Sequence, residues 1–362
     1  MTVVPDIHST RCVRYRLRYS ECRRCEQACP HEAIRLSDEG VLITDEKCRG
    51  CGLCVSACRT ETFTAASLAP LALVEQTRGR AAWAIACAPS GAEGDAIVPC
   101  LGALGPALLA YLVKQGTSLN LIGSDHCVNC PHGARGSEQL AANLDAVESL
   151  RAADGAGLWA GIALPQRANG NASTGDDKRA ARRQFFRRVA SVGAGAARSN
   201  TMQPRAAAPL RAIRAARVVP SAQRDLLQML GLADAHTALA AHAALPAGEL
   251  HLQPGCTGCE ACARACPTGS LQVREHGTAW ALGFEAALCV ACAVCVEACQ
   301  PRVLRLHEEV AARNFTKREP VALHGMAKRR CARCDRSFIA RNDGALCEVC
   351  AGDEQDFHAI FG

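Results

Sequence analysis

Apolar and polar positions change rhythm several times along the 362 residues. Between 80 and 150 the apolar runs are nearly continuous. AAWAIACA (81–88) and LNLIG (119–123) predict buried parallel strands, and PALLAYLVKQG (106–116) predicts the helix between them, ended by Gly116. SEQLAANLDAVESL (137–150) has helical apolar spacing with Ser137 as its N-cap. These elements predict a small α/β domain of βαβ type over 80–164. Elsewhere the strands are short and broken by turns. AIRL, SDEG and VLIT follow one another over 33–44, as SLQV, REHG and TAWAL do over 270–282, and each reads as two strands around a turn. The stretch AIVPCLGALGPALLAYLV (96–113) runs 18 residues without charge, at the lower limit for a membrane span. Pro99, Gly102, Gly105 and Pro106 interrupt it, so a strand, a turn and a helix from Pro106 are predicted, with no transmembrane segment.

Charge alters this picture in one place. Residues 167–220 hold 12 Lys/Arg against 2 Asp/Glu, and that +10 turns the net +6 into a −4 remainder. With its Ala, Gly, Asn and Ser content, 165–220 reads as a basic disordered linker. Arg182, Arg183, Gln184, Phe185, Phe186, Arg187 and Arg188, then VASVGAGAA, are similar to a twin-arginine export motif. The motif lies far from the N-terminus and its apolar run is Gly-broken, so a basic amphipathic linker helix is expected, or one that docks on an acidic partner or anionic surface.

Cysteine carries the chemistry, with 24 in the chain. Cys256-x2-Cys259-x2-Cys262-x3-Cys266-Pro267 precedes Cys289-x2-Cys292-x2-Cys295-x3-Cys299. Cys48-x2-Cys51-x2-Cys54-x3-Cys58 is complete near the N-terminus, and Cys22-x2-Cys25-x3-Cys29-Pro30 precedes it, with Cys12 as the only candidate for the missing position. A cubane iron–sulfur cluster needs four soft thiolates from different directions, and these sixteen thiols read as ligands for four [4Fe-4S] clusters. Disulfides need an oxidising compartment, and residues 1–30 lack the apolar region of a secretory signal, so a cytoplasmic protein is expected. Zinc prefers two paired Cys-x2-Cys knuckles to four-Cys runs. Few aromatics, 4% of the chain, leave such units little core, so metal binding and folding should be coupled.

Residues 12–63 and 256–305 each resemble a bacterial-type 2[4Fe-4S] dicluster ferredoxin domain. The resemblance implies a pseudo-symmetric α+β unit in which the last Cys of each run serves the other run's cluster. The implied sets are Cys12, Cys22, Cys25 with Cys58; Cys48, Cys51, Cys54 with Cys29; Cys256, Cys259, Cys262 with Cys299; and Cys289, Cys292, Cys295 with Cys266. The chain departs from the family pattern in the stretched loop from Cys12 to Cys22, in Arg59 where a second Pro often sits, and in Gln300 before Pro301. As Pro is not a ligand, Arg59 and Gln300 are expected to matter little.

Cys87, Cys100, Cys127 and Cys130 fall at the C-terminal ends of the middle strands or in the loops beyond, the edge where ligands gather in open α/β sheets. Cys87, Val98-Pro99-Cys100-Leu101-Gly102 and Cys127-x2-Cys130-Pro131 resemble the small iron–sulfur subunit of hydrogenases and heterodisulfide reductases. That implies a further iron–sulfur centre, of [2Fe-2S] type, feeding a partner enzyme. A redox dithiol at Cys127/Cys130 and plain structural cysteines remain open. The flanking His126 and His132 read as loop or helix-terminal residues. Cys331-x2-Cys334-x12-Cys347-x2-Cys350 is a paired knuckle that suits structural zinc, with a rubredoxin-like iron or free thiols as alternatives. VRYRLRYSE, flanked by Arg11, Arg23 and Arg24, reads as a solvated strand face or as a basic docking patch.

The fold class expected is α+β: two dicluster domains (1–68 and, with a helical lead-in, 221–310) flanking the small α/β domain and the disordered linker, then a zinc-ribbon-like knuckle (325–355). No acid–base or nucleophilic constellation, Walker motif or GxGxxG accompanies the thiols. An electron carrier without catalysis of its own is expected, a polyferredoxin serving a redox enzyme or its subunit and binding no nucleic acid. The alternative is an accessory or maturation factor for a metal-dependent oxidoreductase.

Overall fold

The apolar runs of the middle segment form a parallel sheet in the computed structural model. Ala82–Cys87 is flanked by Ala96–Val98 and Ser118–Ile122, and Ile162–Ala163 extends the far edge. The structure describes residues 3–155, 157–164, 213–214, 218–232, 237–315, 318, 320–340 and 344–361. Most of the 165–220 segment, with its Arg-rich motif, lies outside the described residues.

Pro106–Lys114 is the helix packed on this sheet. Its first residue is Pro106, whose missing N–H costs nothing there, and apolar side chains bury it nearly all round. Gly116 closes the turn beyond it at φ +88°. The following helix, Ala134–Asp154, starts three residues earlier than its spacing suggested. Ser137 is not its cap: its hydroxyl donates to the Ala134 carbonyl at 2.9 Å, inside the first turn. Buried Asn143 on this helix donates to the carbonyls of Gly102 and Leu104, satisfying the turn that carries Cys100 into Pro106.

Both cysteine-rich segments contain the expected hairpins, Ile34–Ser37 with Gly40–Ile43 and Leu271–His276 with Ala279–Phe284. The second is wider than its sequence suggests. Val321–Arg330 pairs with Ala279–Phe284 across a register shift at Leu282/Gly283, and Ser337–Ile339 pairs with Val321–Arg330, giving one four-stranded antiparallel sheet. The C-terminal knuckle therefore grows out of the second hairpin.

The largest core unites parts that sequence reading kept apart. Trp83, Ile85, Leu109 and Leu121 pack with Leu53 and Leu68 from the N-terminal segment. Leu226 and Leu227 of the helix Ala222–Gln228, and Val310 and Phe315 beyond the second cysteine-rich segment, join the same core. A separate core joins Val13 and Leu17 to Ala261, Ala265, Val294 and Ala298. The described residues accordingly form one compact unit. They are a mixture of helices and sheets. Among them no helix is long and apolar enough to cross a membrane.

The Arg-rich stretch after Cys12 is not a strand face. Val13–Arg16 is a helical turn, Leu17 bridges to Ile213, and Arg16 is fully buried. The basic segment beyond 210 contributes here, since Arg214 N–H donates to the Arg16 carbonyl and Val219 N–H to that of Pro267.

Candidate metal centres

The x3 spacing in each cysteine run acquires a structural meaning. Cys25, Cys54, Cys262 and Cys295 each ride a five-residue helix, Arg24–Ala28, Leu53–Ala57, Ala261–Ala265 and Val294–Ala298. The next cysteine of each run, Cys29, Cys58, Cys266 or Cys299, is the C-cap in extended conformation. One helical turn thus separates the third thiol from the fourth, and the extended cap carries the chain away before Pro30 or Pro267 in two cases.

Three loops share a backbone signature. The residues before and after the second cysteine have positive φ: Gly50 and Gly52, Gly258 and Glu260, Ala291 and Ala293. A non-glycine residue held there costs about 1 kcal/mol or more, so the surrounding structure imposes the conformation. The loop at Cys22 lacks the signature, with Arg23 at φ −132°. The nine-residue excursion after Cys12 replaces it.

Cys12, Cys22, Cys25 and Cys58 line one cavity, walled also by Arg14, Arg24, Arg59, Phe63 and, from the second cysteine-rich segment, Cys292. Cys256, Cys259, Cys262 and Cys299 line another, against Trp280 and Leu282. Trp280 is buried and its indole N–H donates to Glu260 at 3.1 Å, which holds the loop against the sheet. Elsewhere the thiols sense one another. Burial pushes the Cys54 thiol up, and Cys51, Cys25, Cys29 and Cys48 add to it. Burial likewise raises Cys295, with Cys292, Cys266, Cys289 and Cys262 adding. Burial pushes Cys25 and Cys262 up to about 12 and Cys51 and Cys289 up to about 11. Backbone N–H groups already face several sulfurs: Ala33 donates to Cys29, Thr62 to Cys58 and Ala291 to Cys289, each at 3.4 Å.

The middle thiols gather near one another, with Cys51 of the N-terminal runs beside Cys100. Burial raises Cys87, and Cys130 and Cys127 add to it. Cys100 is pushed up to about 12 by burial, with Cys87, Cys51 and Cys127 adding. Cys127 lies in the 3-10 turn Ser124–Asn129 after Ser118–Ile122, Cys130 is its extended C-cap, and Val128 between them is 91% exposed. His132 is no surface residue: it is buried, and its Nδ1 lies 3.1 Å from Nε2 of His31. These two rings and the Cys51 thiol offer ligand atoms within 4.8 Å of one another. His31 had drawn no attention in the sequence, because only the fold brings residues 31 and 132 together.

Three buried arginines surround the Cys266/Cys289/Cys292/Cys295 thiols. The Arg16 side chain donates to the Cys266 carbonyl at 3.4 Å. Arg59 donates through its Nη1 to the Ala291 carbonyl at 2.6 Å and through its Nη2 to the carbonyls of His242 and Ala243, each at 3.0 Å. Arg224, fully buried, donates to the carbonyls of Ala287, Pro246, Ala286 and Phe315. Burial lowers all three, Arg59 and Arg224 to about 10. Protonated thiols give such charges nothing to balance them, whereas thiolates bound to a metal supply negative charge at the right place. The donor set and its surroundings therefore fit iron–sulfur clusters.

The C-terminal knuckle has another electrostatic character. The thiols of Cys331, Cys334, Cys347 and Cys350 all lie within 4.8 Å of one another, a group that could bind a metal. The Cys347 N–H donates to Cys331 Sγ at 3.3 Å, and backbone donors hold Cys331 down to about 6. Arg336 donates to Cys347 Sγ at 3.8 Å.

Comparison with known proteins places one segment. Residues 18–63 match the 4Fe-4S dicluster domain family. The match covers the runs from Cys22 to Cys58 and leaves Cys12 outside it. No curated protein matches the chain. The dicluster domain and the cysteine clusters point to an iron–sulfur, metal-binding protein of electron transfer. Arg224, a single arginine amid many, gives no sequence signal. Arg59 does, standing where the family often has Pro, but the expectation that it matters little is overturned by its burial and its bonds to Ala291, His242 and Ala243.

Proposed function

We propose that the chain is an electron relay holding four [4Fe-4S] clusters and exchanging single electrons with a partner oxidoreductase. The ligand sets are Cys12/Cys22/Cys25/Cys58, Cys29/Cys48/Cys51/Cys54, Cys266/Cys289/Cys292/Cys295 and Cys256/Cys259/Cys262/Cys299. When bound, such clusters supply one-electron carriers whose potentials depend on hydrogen bonds and burial. The chain's own residues bury several of the thiols, donate N–H groups to the sulfurs and order the sets. Cys262 neighbours Cys295, Cys292 lines the Cys12 cavity, Cys25 neighbours Cys54, and Cys51 neighbours Cys100. That succession supports one line from the second cysteine-rich segment, through the first, to the middle thiols.

Cys87, Cys100, Cys127 and Cys130 hold a further iron–sulfur centre at the end of that line, and the exposed Val128 beside it is the docking point of the partner. Zinc occupies Cys331, Cys334, Cys347 and Cys350. The observation that carries the reading is Cys292 in the wall of the Cys12/Cys22/Cys25/Cys58 cavity, since it brings thiols of two distant segments together. Anaerobic reconstitution with iron, sulfide and zinc counting tests it. About 16 Fe or slightly more per chain is expected, and far fewer would sink the four-cluster assignment. The maturation-factor reading gains if Cys127→Ser impairs a partner only when present during that partner's assembly.

A further inference from the structure

We infer that Arg59 is the positioning residue at the junction of the two cysteine-rich segments, its Nε–H donating to the sulfur-rich group held by Cys12, Cys22, Cys25 and Cys58. The inference rests on the cluster assignment proposed above.

Arginine has five N–H donors in a rigid fork. At Arg59 the two terminal nitrogens are committed to three carbonyls of the far half of the chain, Ala291, His242 and Ala243. Its Nε is buried and has no hydrogen-bond partner among the described residues. A buried charged donor left unpaired is costly, and native structures rarely tolerate one without a reason. The residue is 9% exposed and lines the cavity shared by the four thiols and Cys292. Thiolate and sulfide sulfur are the acceptors such a cavity would offer.

The backbone fixes the placement. Arg59 follows Cys58, the extended cap of Leu53–Ala57, and Glu61 N–H donates back to the Cys58 carbonyl at 3.1 Å. The side chain therefore spans from one ligand set to the loop between Cys289 and Cys292 without freedom to move away. A proline here could do none of this. The step served is a one-electron exchange in which one centre is oxidised as the other is reduced, with no bond made and no proton moved. A cation and an N–H donor beside sulfur favour the reduced, more negative form and raise its potential.

The test uses the full chain, loaded anaerobically, with Arg59→Met and Arg59→Lys. Metal content is measured first, then EPR-monitored potentiometric titration. Both variants should keep the parent's iron. One titrating signal should move to lower potential, more in Arg59→Met than in Arg59→Lys. In Arg59→Met its one-electron equilibrium should change by about tenfold or more, which is about 59 mV. Unchanged potentials in iron-replete variants overturn the proposal. So does loss of iron from both, which makes Arg59 a clamp on the fold. Failure of the parent itself to hold iron sinks the cluster assignment and this proposal with it, and is told apart by appearing without any substitution.

Discussion

Ser221 donates its hydroxyl to the Glu61 carboxylate at 2.6 Å, joining the end of the first cysteine-rich segment to the start of the helix Ala222–Gln228. The N–H groups of Ala222 and Gln223 close on the same carboxylate at 3.2 and 3.0 Å. Glu61 thus caps a helix 160 residues away in sequence, while Ser221 caps it locally through Arg224 N–H. Charge-assisted bonds to a helix N-terminus are the strong kind. Glu61→Ala should cost about 2 kcal/mol, read as a lower urea midpoint of the loaded protein. Glu61→Gln, which keeps one acceptor, should lose less. Equal midpoints for all three proteins would remove the cap from the account.

Arg224 should be the least replaceable of the buried arginines. Its guanidinium satisfies four carbonyls and stacks on Phe315, 5.5 Å from the ring centroid. Arg224→Leu strands those carbonyls and removes the cation beside Cys289. A loss of about 3 kcal/mol or more is expected, visible as poor recovery of folded, iron-loaded chain. Normal recovery at normal melting temperature would contradict it.

The extended caps predict exchanged ligation between runs. Cys58→Ser should perturb the same EPR signal as Cys22→Ser, and Cys29→Ser the same signal as Cys51→Ser. Each substitution should remove or convert one cluster, lowering iron by up to about 4 per chain. If Cys58→Ser instead altered the Cys51 signal, each run would serve its own cluster.

The thiols also predict opposite responses to pH. Cys25 and Cys262 stand at about 12, raised by burial from 9.0. Metal-free, that stability is present below 9 and lost as pH rises toward 12, because the unfolded chain ionises first. Cys331 stands at about 6, lowered chiefly by the Cys347 N–H. Its contribution is present above 9 and lost as pH falls toward 6. Whatever structure the metal-free chain retains should decline in circular dichroism between pH 9 and 12, while the knuckle, with its Cys331 thiolate already formed, should take up zinc at neutral pH with fewer protons released. A flat alkaline titration, or zinc uptake only above pH 9, would count against these assignments.

Much of the local structure was legible in advance. The strand Ala82–Cys87, the helix from Pro106 and both hairpins follow from periodicity, because their apolar pattern and turn residues act within a few positions. Ser137 was misjudged as a cap because Gly133 had already turned the chain into the helix. Alternating charge usually marks a wet strand face or a basic patch, and the stretch around Arg16 reads as one of these. Here Leu17 and Val13 bury against Ala261 and Ala265, and the helical turn carries Arg16 inward with them.

By itself, then, the sequence determined the cysteine spacing, the five-residue helices that spacing requires and the short strands between runs. These depend on interactions over a few residues. The tertiary structure alone decided that Cys292 lines the cavity of Cys22, that Arg59 reaches Ala291, and that His31 meets His132. Such pairs are separated by 100 residues or more. The first two come together because Val13, Leu17 and the small residues of two short helices exclude water from one shared face, and the third because Leu53 and Leu68 bury against the middle sheet, results no local pattern encodes.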